Sequence, residues 1–132
     1  MRSVITQSVV LPAPADALFT AYLDPDQHAA ITGGPVTVSS APGALFAAFD
    51  GALSGTTLAV IAPAMIVQSW RSENFHPGDQ DSTLILTFTP EGEHGRIDLE
   101  QLDVPEQDYA GVDDGWETYY WQPWRALLEA GR

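Results

Sequence analysis

The stretch between residues 36 and 103 limits the fold most strongly, because it alternates short apolar segments with turn residues. Turn-forming pairs such as Pro42-Gly43, Asp50-Gly51 and Pro77-Gly78 separate these segments. Connections this short predict antiparallel pairing of neighbouring strands. The predicted strands, rich in β-branched and aromatic residues, are 36–40, 44–49, 56–62, 65–70, 83–89 and 96–102.

Helical signals lie on both sides of this stretch. Residues 4–11 predict a further strand, and Pro14 then fits the first turn of a short helix. Asp24 is a good N-cap for a second short helix, which must end at Gly33. Residues 115–130 form the only long helical pattern. Since an antiparallel sheet has one face that needs cover, the order of elements predicts an α+β fold in which a sheet curls around the C-terminal helix.

The C-terminal helix carries an unusual number of aromatic rings. At 100° per residue, Trp121 lies off the central apolar stripe, and Pro123 removes the hydrogen bond to the carbonyl of Tyr119, which predicts a bend there. Two interpretations stay open: the rings are simply core, or a bent helix leaves a cavity that offers polar tyrosine and tryptophan atoms. The predicted stripe consists of Trp116, Tyr120, Pro123 and Leu127.

The charge of the chain excludes some partners. With 132 residues, it suits one domain spanning 1–132, and its 18 acidic residues against five basic ones give a net charge of −13. Such a surface repels phosphate groups, so neither nucleic acid nor anionic membrane is expected as a partner. The acidity serves solubility or, alternatively, meets a basic partner surface.

Chemical motifs are scarce. The chain has no cysteine, and His28, His76 and His94 are too far apart in sequence for a compact ligand set, so we predict no metal site. His76 and His94 are expected in exposed turns, and His28 in a surface or half-buried position of the second short helix. Nucleophile-elbow, phosphate-loop and dinucleotide motifs are missing, so we assign no catalytic residue and no cofactor.

The N-terminal residues favour a strand over a signal peptide, because polar residues interrupt their apolar run. Long apolar segments that would span a bilayer are also missing from the sequence. We therefore expect a cytoplasmic protein.

Strand alternation selects the side chains that could face a cavity. Trp70 and Gln68 share one face of the strand 65–70, while Arg71 lies on the other. In the strand 96–102, Asp98 and Glu100 share a face that we expect to be solvated. If Glu100 faced a cavity instead, its pKa would rise and it could act as an acid or base.

Several segments in combination resemble a known family. The most specific are IVQSWRS (66–72), DVPEQDY (103–109) and GWETYYWQPWRALL (115–128), supported by LDPDQHAAITGGP, FDGALSG and STLILTFTP. Their order and spacing resemble the bacterial SRPBCC proteins that are similar to the C-terminal domain of the Hsp90 co-chaperone Aha1. This resemblance implies a helix-grip (START-like, Bet v 1-like) fold, with a cavity between the sheet and the C-terminal helix.

The same resemblance gives the functional hypotheses. Related proteins hold apolar molecules in the cavity, so we predict a non-catalytic protein that binds a small apolar ligand. The alternatives are a module that associates with a chaperone such as Hsp90 and, less favoured, an enzyme acting on an apolar substrate through a cavity carboxylate or tyrosine. The residues predicted to line the cavity are Trp70, Trp116 and Tyr120, with Phe49 and Gln68 as weaker candidates.

Overall fold

One antiparallel sheet forms the main body of the structure. The computed structural model describes residues 2–131, apart from the side chain of Arg2. Within this range the sheet has six strands in the order β1-β6-β5-β4-β3-β2, so that β1 and β2 are its edges. The strands are β1 (Arg2–Leu11), β2 (Leu45–Ala48), β3 (Leu53–Ile61), β4 (Met65–Ser72), β5 (Ser82–Glu91) and β6 (His94–Pro105).

Two short helices follow β1, as predicted: α1 (Ala15–Leu23) and α2 (Pro25–Thr32). The side chain of Asp24 caps α2 by accepting hydrogen bonds from the backbone N–H groups of Asp26 and Gln27, at 2.8 and 3.2 Å. Helix α1 packs closely on the sheet at Gly95, because an added Cβ there would lie 2.8 Å from the Cα atom of Ala15. The second helix leads the chain back towards the far edge of the sheet.

The strand predicted at 36–40 is wrong. Thr37 makes a single bridge to Ala47, and the rest of the segment has no ladder partner. Val38 is nevertheless buried, so the apolar alternation reflects burial without pairing. After this segment the chain turns at Pro42-Gly43, where Gly43 adopts a φ of 88°.

The C-terminal helix begins earlier than predicted and is not regular. A 3₁₀ turn (Glu106–Asp108) leads into α3 (Tyr109–Trp116), a π-helical turn (Glu117–Trp121) and α4 (Gln122–Ala130). Asp113 and Asp114 therefore lie inside α3, before the predicted helix start at residue 115. In the π turn the N–H of Gln122 donates to the carbonyl of Glu117, five residues earlier.

The π turn corrects the predicted helical stripe. Trp116 and Tyr120 face inward as predicted, each 2% exposed. Trp121 is only 3% exposed and Leu127 is 42% exposed, so the predicted places of both residues are wrong. A π turn adds one residue to the helix, which rotates every later side chain by about 100° relative to a regular α-helix. The inward positions therefore shift by one after Tyr120, from 123 to Trp124, which is buried, and from 127 to Leu128, which is partly buried.

The core lies between the C-terminal helix and one face of the sheet. Gln68 and Trp70 on β4 and Ile97, Leu99 and Gln101 on β6 all point into it, as the alternation predicted. Glu100 on β6 is exposed. Among residues 2–131, no helix has the length and apolarity that crossing a membrane requires.

Candidate functional site

A cavity of about 470 Å³ lies between α3, the π turn and the β2–β4 half of the sheet. Five aromatic residues line it, and we call them the aromatic belt: Phe49, Trp70, Trp116, Tyr119 and Tyr120. Their rings contact one another in sequence around the cavity. The centroid distances are 5.7 Å from Tyr119 to Phe49, 6.2 Å from Phe49 to Tyr120, 4.8 Å from Tyr120 to Trp116 and 6.0 Å from Trp116 to Trp70.

Phe49 reaches the cavity from a strained backbone. It follows β2 and has a φ of 54°, and Asp50 and Gly51 after it also have positive φ values. A bulky residue seldom adopts this left-handed conformation, which costs on the order of 1 kcal/mol or more. The turn places the Phe49 ring against both Tyr119 and Tyr120.

Two glycines line the helix side of the cavity. Gly111 and Gly115 line it from α3, one helical turn apart. A Cβ added at Gly115 would meet nothing closer than Cδ2 of Tyr119 at 3.6 Å. Glycine costs a helix about 0.5–1 kcal/mol relative to alanine. The chain thus carries a helix-weakening residue where a side chain would occupy the cavity.

Two polar atoms at the cavity residues lack hydrogen-bond partners. Nε1 of Trp70 and Oδ2 of Asp108 are out of contact with solvent and unpaired among the described residues. Burial raises the pKa of the Asp108 carboxyl, and a hydrogen bond with the Ser72 side chain opposes this rise. Asp108 lies in the 3₁₀ turn before α3, where the sequence offered no spacing or motif to single it out. Asp108 stands out only in the folded structure, where the turn brings its carboxyl to the Ser72 side chain.

The ring of Trp116, by contrast, is fixed by a chain of hydrogen bonds. Its Nε1 donates to Oε1 of Gln101 at 2.9 Å. The Gln101 amide donates to Oγ of Ser82 at 3.0 Å, and that hydroxyl donates to the carbonyl of Trp70 at 2.7 Å. All of these groups are buried, so α3 is fastened to β6, β5 and β4 at the floor of the cavity.

Tyr120 belongs to a second buried network, which includes His28. Nδ1 of His28 lies 2.7 Å from the carbonyl of Tyr22 and Nε2 lies 2.8 Å from the Tyr120 hydroxyl. Because a carbonyl only accepts, Nδ1 carries the proton and Nε2 accepts from Tyr120. The Tyr22 hydroxyl in turn donates to Oε1 of Gln68 at 2.8 Å. The sequence-based prediction that His28 is a surface or half-buried residue is wrong, since it is fully buried.

Burial sets the charge state of this network. It lowers the pKa of His28 to about 4, against a smaller opposing effect of the hydrogen bond to Tyr22. Burial also raises the pKa of Tyr120, and it raises that of Tyr22 together with the repulsion from Tyr120. All three side chains are therefore neutral near neutral pH. Nothing in the sequence pointed to this arrangement, because His28 lies in a short helix whose apolar and polar residues are not clearly segregated.

Trp121 makes the third fixed contact of the helix. Its Nε1 donates to Oε1 of Gln7 on β1 at 2.8 Å. The Gln7 amide donates to the backbone carbonyl and to Oδ1 of Asp113 at 2.8 and 2.7 Å. This contact exists because the π turn brings residues 120 and 121 inside together, so that one reaches α2 and the other reaches β1.

The predicted lining residues are distributed as follows. Trp70, Trp116, Tyr120 and Phe49 all line the cavity, whereas Gln68 does not and instead accepts from Tyr22. Whether these residues bind a ligand stays a prediction. The sequence did not single out Asp108, Gly111 or Gly115. Within the described part of the chain, no group of three histidine or carboxylate side chains has the arrangement needed to hold a metal ion.

The sequence profile described as "Activator of Hsp90 ATPase homolog 1-like protein" matches residues 12–129, nearly the whole chain. The chain belongs to this family. The resemblance to Aha1-like SRPBCC proteins that the sequence suggested is confirmed.

Solved structures confirm the helix-grip fold. An HSP90 activator from Plasmodium falciparum superposes with a TM-score of 0.85 at 19% identity, over 96% of each chain. A protein from Mesorhizobium loti superposes with a TM-score of 0.83 at 20% identity, over 98% of this chain and 99% of the other. At this identity the likeness concerns the fold alone.

Among curated proteins, the activator of 90 kDa heat shock protein ATPase homolog of Dictyostelium discoideum is 24% identical over 106 residues, 80% of this chain and 27% of its own length. The chain spans between 27% and 38% of the curated relatives that it matches. It therefore corresponds to one part of those longer proteins.

Proposed function

We propose that the protein binds a small, mostly apolar molecule in the cavity beside the aromatic belt. The observation that carries this proposal is a cavity of about 470 Å³ that Gly111 and Gly115 line on its helix side. Cavities of about 300–1,000 Å³ with mostly aromatic walls and a few polar groups are typical of small-molecule sites. The strained Phe49 turn supports the same proposal, because backbone strain concentrates at functional sites.

The polar atoms at the cavity favour binding over catalysis. Tyr120 donates to a neutral histidine and has a raised pKa, so it is a poor acid or base near neutral pH. Glu100, the carboxylate considered for catalysis, is exposed on the sheet. The unpaired Trp70 N–H and Asp108 oxygen offer one donor and one acceptor, which orient a ligand without a reactive group.

Filling the cavity tests this proposal directly. The neutral fluorescent probe N-phenyl-1-naphthylamine is titrated into the wild-type protein and the variant Gly115→Leu, whose new side chain would occupy the cavity. The matched control is Ala126→Leu, which adds similar apolar volume at an exposed position of α4. We expect binding to the wild type and the control, and at least about a tenfold loss in Gly115→Leu.

Equal binding of the probe to Gly115→Leu and to the wild type would contradict the proposal. Thermal unfolding of all three proteins shows whether the variants are folded. Leucine is a better helix former than glycine, so Gly115→Leu is expected to keep the helix intact. Native mass spectrometry of the gently purified protein tests independently for a co-purifying molecule.

A second candidate function is association with an Hsp90-type chaperone. The family membership and the names of the relatives from Dictyostelium discoideum and Plasmodium falciparum favour it. The net charge of −13 would suit a basic surface on such a partner. A chaperone pull-down at low and high salt, with the chaperone's ATPase rate measured in parallel, tests this candidate. No complex at low salt and an unchanged ATPase rate would count against it. A cytoplasmic site of action remains part of this proposal, and cell fractionation tests it.

A further inference from the structure

The charges around the cavity all have one sign. Asp108 and Glu73 line it, and no arginine or histidine does so among the described residues. Arg71, which neighbours the cavity residue Ser72, is engaged elsewhere, donating to the carbonyls of Asp79 and His76 and pairing with Asp81 at 3.1 Å. The sequence contains no lysine. An anionic ligand would therefore find two carboxylates and no described counter-charge.

The aromatic belt adds to this preference. The face of an aromatic ring carries negative electrostatic potential and attracts organic cations within about 6 Å of its centroid, most strongly in a site that excludes water. Three of the five belt residues, Trp70, Trp116 and Tyr120, are at most 4% exposed. These three rings leave little surface open, so a cation would approach mainly the rings of Phe49 and of Tyr119, which is 58% exposed.

Asp108 gives the site an unmatched acceptor. The carboxyl group forms a hydrogen bond with the Ser72 side chain, but its Oδ2 lacks a hydrogen-bond partner in the described structure, whereas buried carboxylate oxygens are usually paired. A protonated amine would supply both the hydrogen bond and the opposite charge. The unpaired N–H of Trp70 is a separate donor that suits an oxygen acceptor elsewhere on the same ligand.

Building on the proposed function, we infer that the cavity selects an organic cation, with an apolar or aromatic body against the aromatic belt and an ammonium group against Asp108. The class is small amines of one or two rings, since the cavity of about 470 Å³ holds a single drug-sized molecule. Carboxylates of the same shape are rejected, because they would approach Asp108 and Glu73 without a counter-charge.

Three probes with the same fused ring separate charge from shape: 2-naphthylmethylamine, which is protonated at neutral pH, neutral 2-naphthalenemethanol and anionic 2-naphthoate. Each is titrated into the full chain by calorimetry at one ionic strength. We expect the amine to bind at least about tenfold more tightly than the alcohol, and the naphthoate to bind most weakly. If the alcohol binds as tightly as the amine, this inference fails and the proposed function stands. If none of the three probes binds, both fail.

Two variants separate the cavity from the overall negative field. Asp108→Asn and Asp114→Asn each remove one negative charge from the C-terminal segment, but Asp114 is exposed and does not line the cavity. We expect Asp108→Asn to lower the affinity for the amine about tenfold and the affinity for the alcohol by no more than about threefold, because the asparagine oxygen still accepts a hydrogen bond. Asp114→Asn is expected to change neither by more than about twofold. Equal losses in both variants would overturn the assignment to Asp108.

A choline lipid carries the same ammonium chemistry, so a third arm distinguishes the source of the cation. The protein is sedimented with phosphatidylcholine vesicles, with and without the amine as competitor. We expect no co-sedimentation. Co-sedimentation that the amine abolishes would overturn the choice of a free small molecule in favour of a lipid headgroup.

Discussion

The aromatic rings between the C-terminal helix and the sheet face two sides, which differ in whether their polar atoms have hydrogen-bond partners. On the side that faces β1, β6 and α2, the polar atoms of Trp116, Tyr120 and Trp121 all have hydrogen-bond partners. On the cavity side, Nε1 of Trp70 is unpaired and Tyr119 is 58% exposed. Rings of the same chemical type thus serve two purposes. Trp116, Tyr120 and Trp121 hold the helix on the sheet through these hydrogen bonds, and the first two also line the cavity. The Trp70 N–H holds no element in place.

The largest loss of stability is expected when a ring whose polar atom is hydrogen-bonded to the sheet is removed. Trp121→Ala should lower the free energy of unfolding by about 3–5 kcal/mol, because it removes a fully packed ring and leaves the Gln7 amide without its donor. Tyr119→Ala, two residues away in the same π turn, should cost less than about 1 kcal/mol because its ring is largely in solvent. Chemical denaturation at pH 7 measures both. Similar losses in the two variants would show that rings on the two sides contribute equally to the free energy of unfolding.

A second test uses low pH to protonate His28 and so disrupt its buried hydrogen bond with Tyr120. Its pKa is about 4 in the folded protein and 6.5 in the unfolded chain, so the unfolded state binds the proton first as the pH falls. The contribution of neutral His28 is complete above about pH 6.5 and is lost progressively between pH 6.5 and 4, by about 3 kcal/mol in total.

The histidine effect must be separated from that of the acidic residues, among them Asp108, whose pKa is raised by burial. His28→Gln removes the titration while keeping an amide that donates and accepts. We expect this variant to be less stable at pH 8 and to lose less stability than the wild type between pH 6.5 and 4. A parallel pH dependence in the two proteins would assign the acid sensitivity to other groups.

The smallest expected difference in stability is between variants of two buried tryptophans. It is the most direct test of the comparison, because one N–H has a hydrogen-bond partner and the other has none. Trp116→Phe leaves Oε1 of Gln101 without its donor and should cost about 1–3 kcal/mol. Trp70→Phe removes an N–H that has no partner, so the lost ring volume is offset by the relief of an unsatisfied donor, and the net cost should stay below about 1 kcal/mol. Denaturant unfolding of both variants measures the difference. A larger cost for Trp70→Phe would mean that its N–H is satisfied in solution.

Much of the fold could be predicted from local rules. Alternation placed Gln68 and Trp70 on one face of β4, and Asp24 and Pro25 marked the start of α2, because such signals depend only on neighbours in the chain. The strand predicted at 36–40 failed because pairing depends on a distant partner. A buried Val38 looks the same in sequence whether or not a neighbouring strand is available.

The site was predictable only in part. Trp70, Trp116, Tyr120 and Phe49 lie at the cavity, where their aromatic character and their inward faces led us to expect them, and their part in ligand binding stays a prediction. Trp121 was misplaced because a helical wheel assumes 100° for every residue, and the π turn breaks that assumption. Pro123 was the available warning, since a residue without an N–H disturbs the regular hydrogen bonding one turn earlier. Burial of His28 and Asp108 depends on tertiary packing, which local pattern does not encode.

The bond between Trp121 and Gln7 joins residues that are 114 positions apart in the chain. Closing so long a loop has a large entropic cost, which the chain repays only when most of the sheet already holds its two ends together. The π turn that makes this bond is therefore expected to lock the structure late in folding. Its two consecutive inward rings then join the beginning of the chain to its end, since Tyr120 bonds to His28 and Trp121 bonds to Gln7.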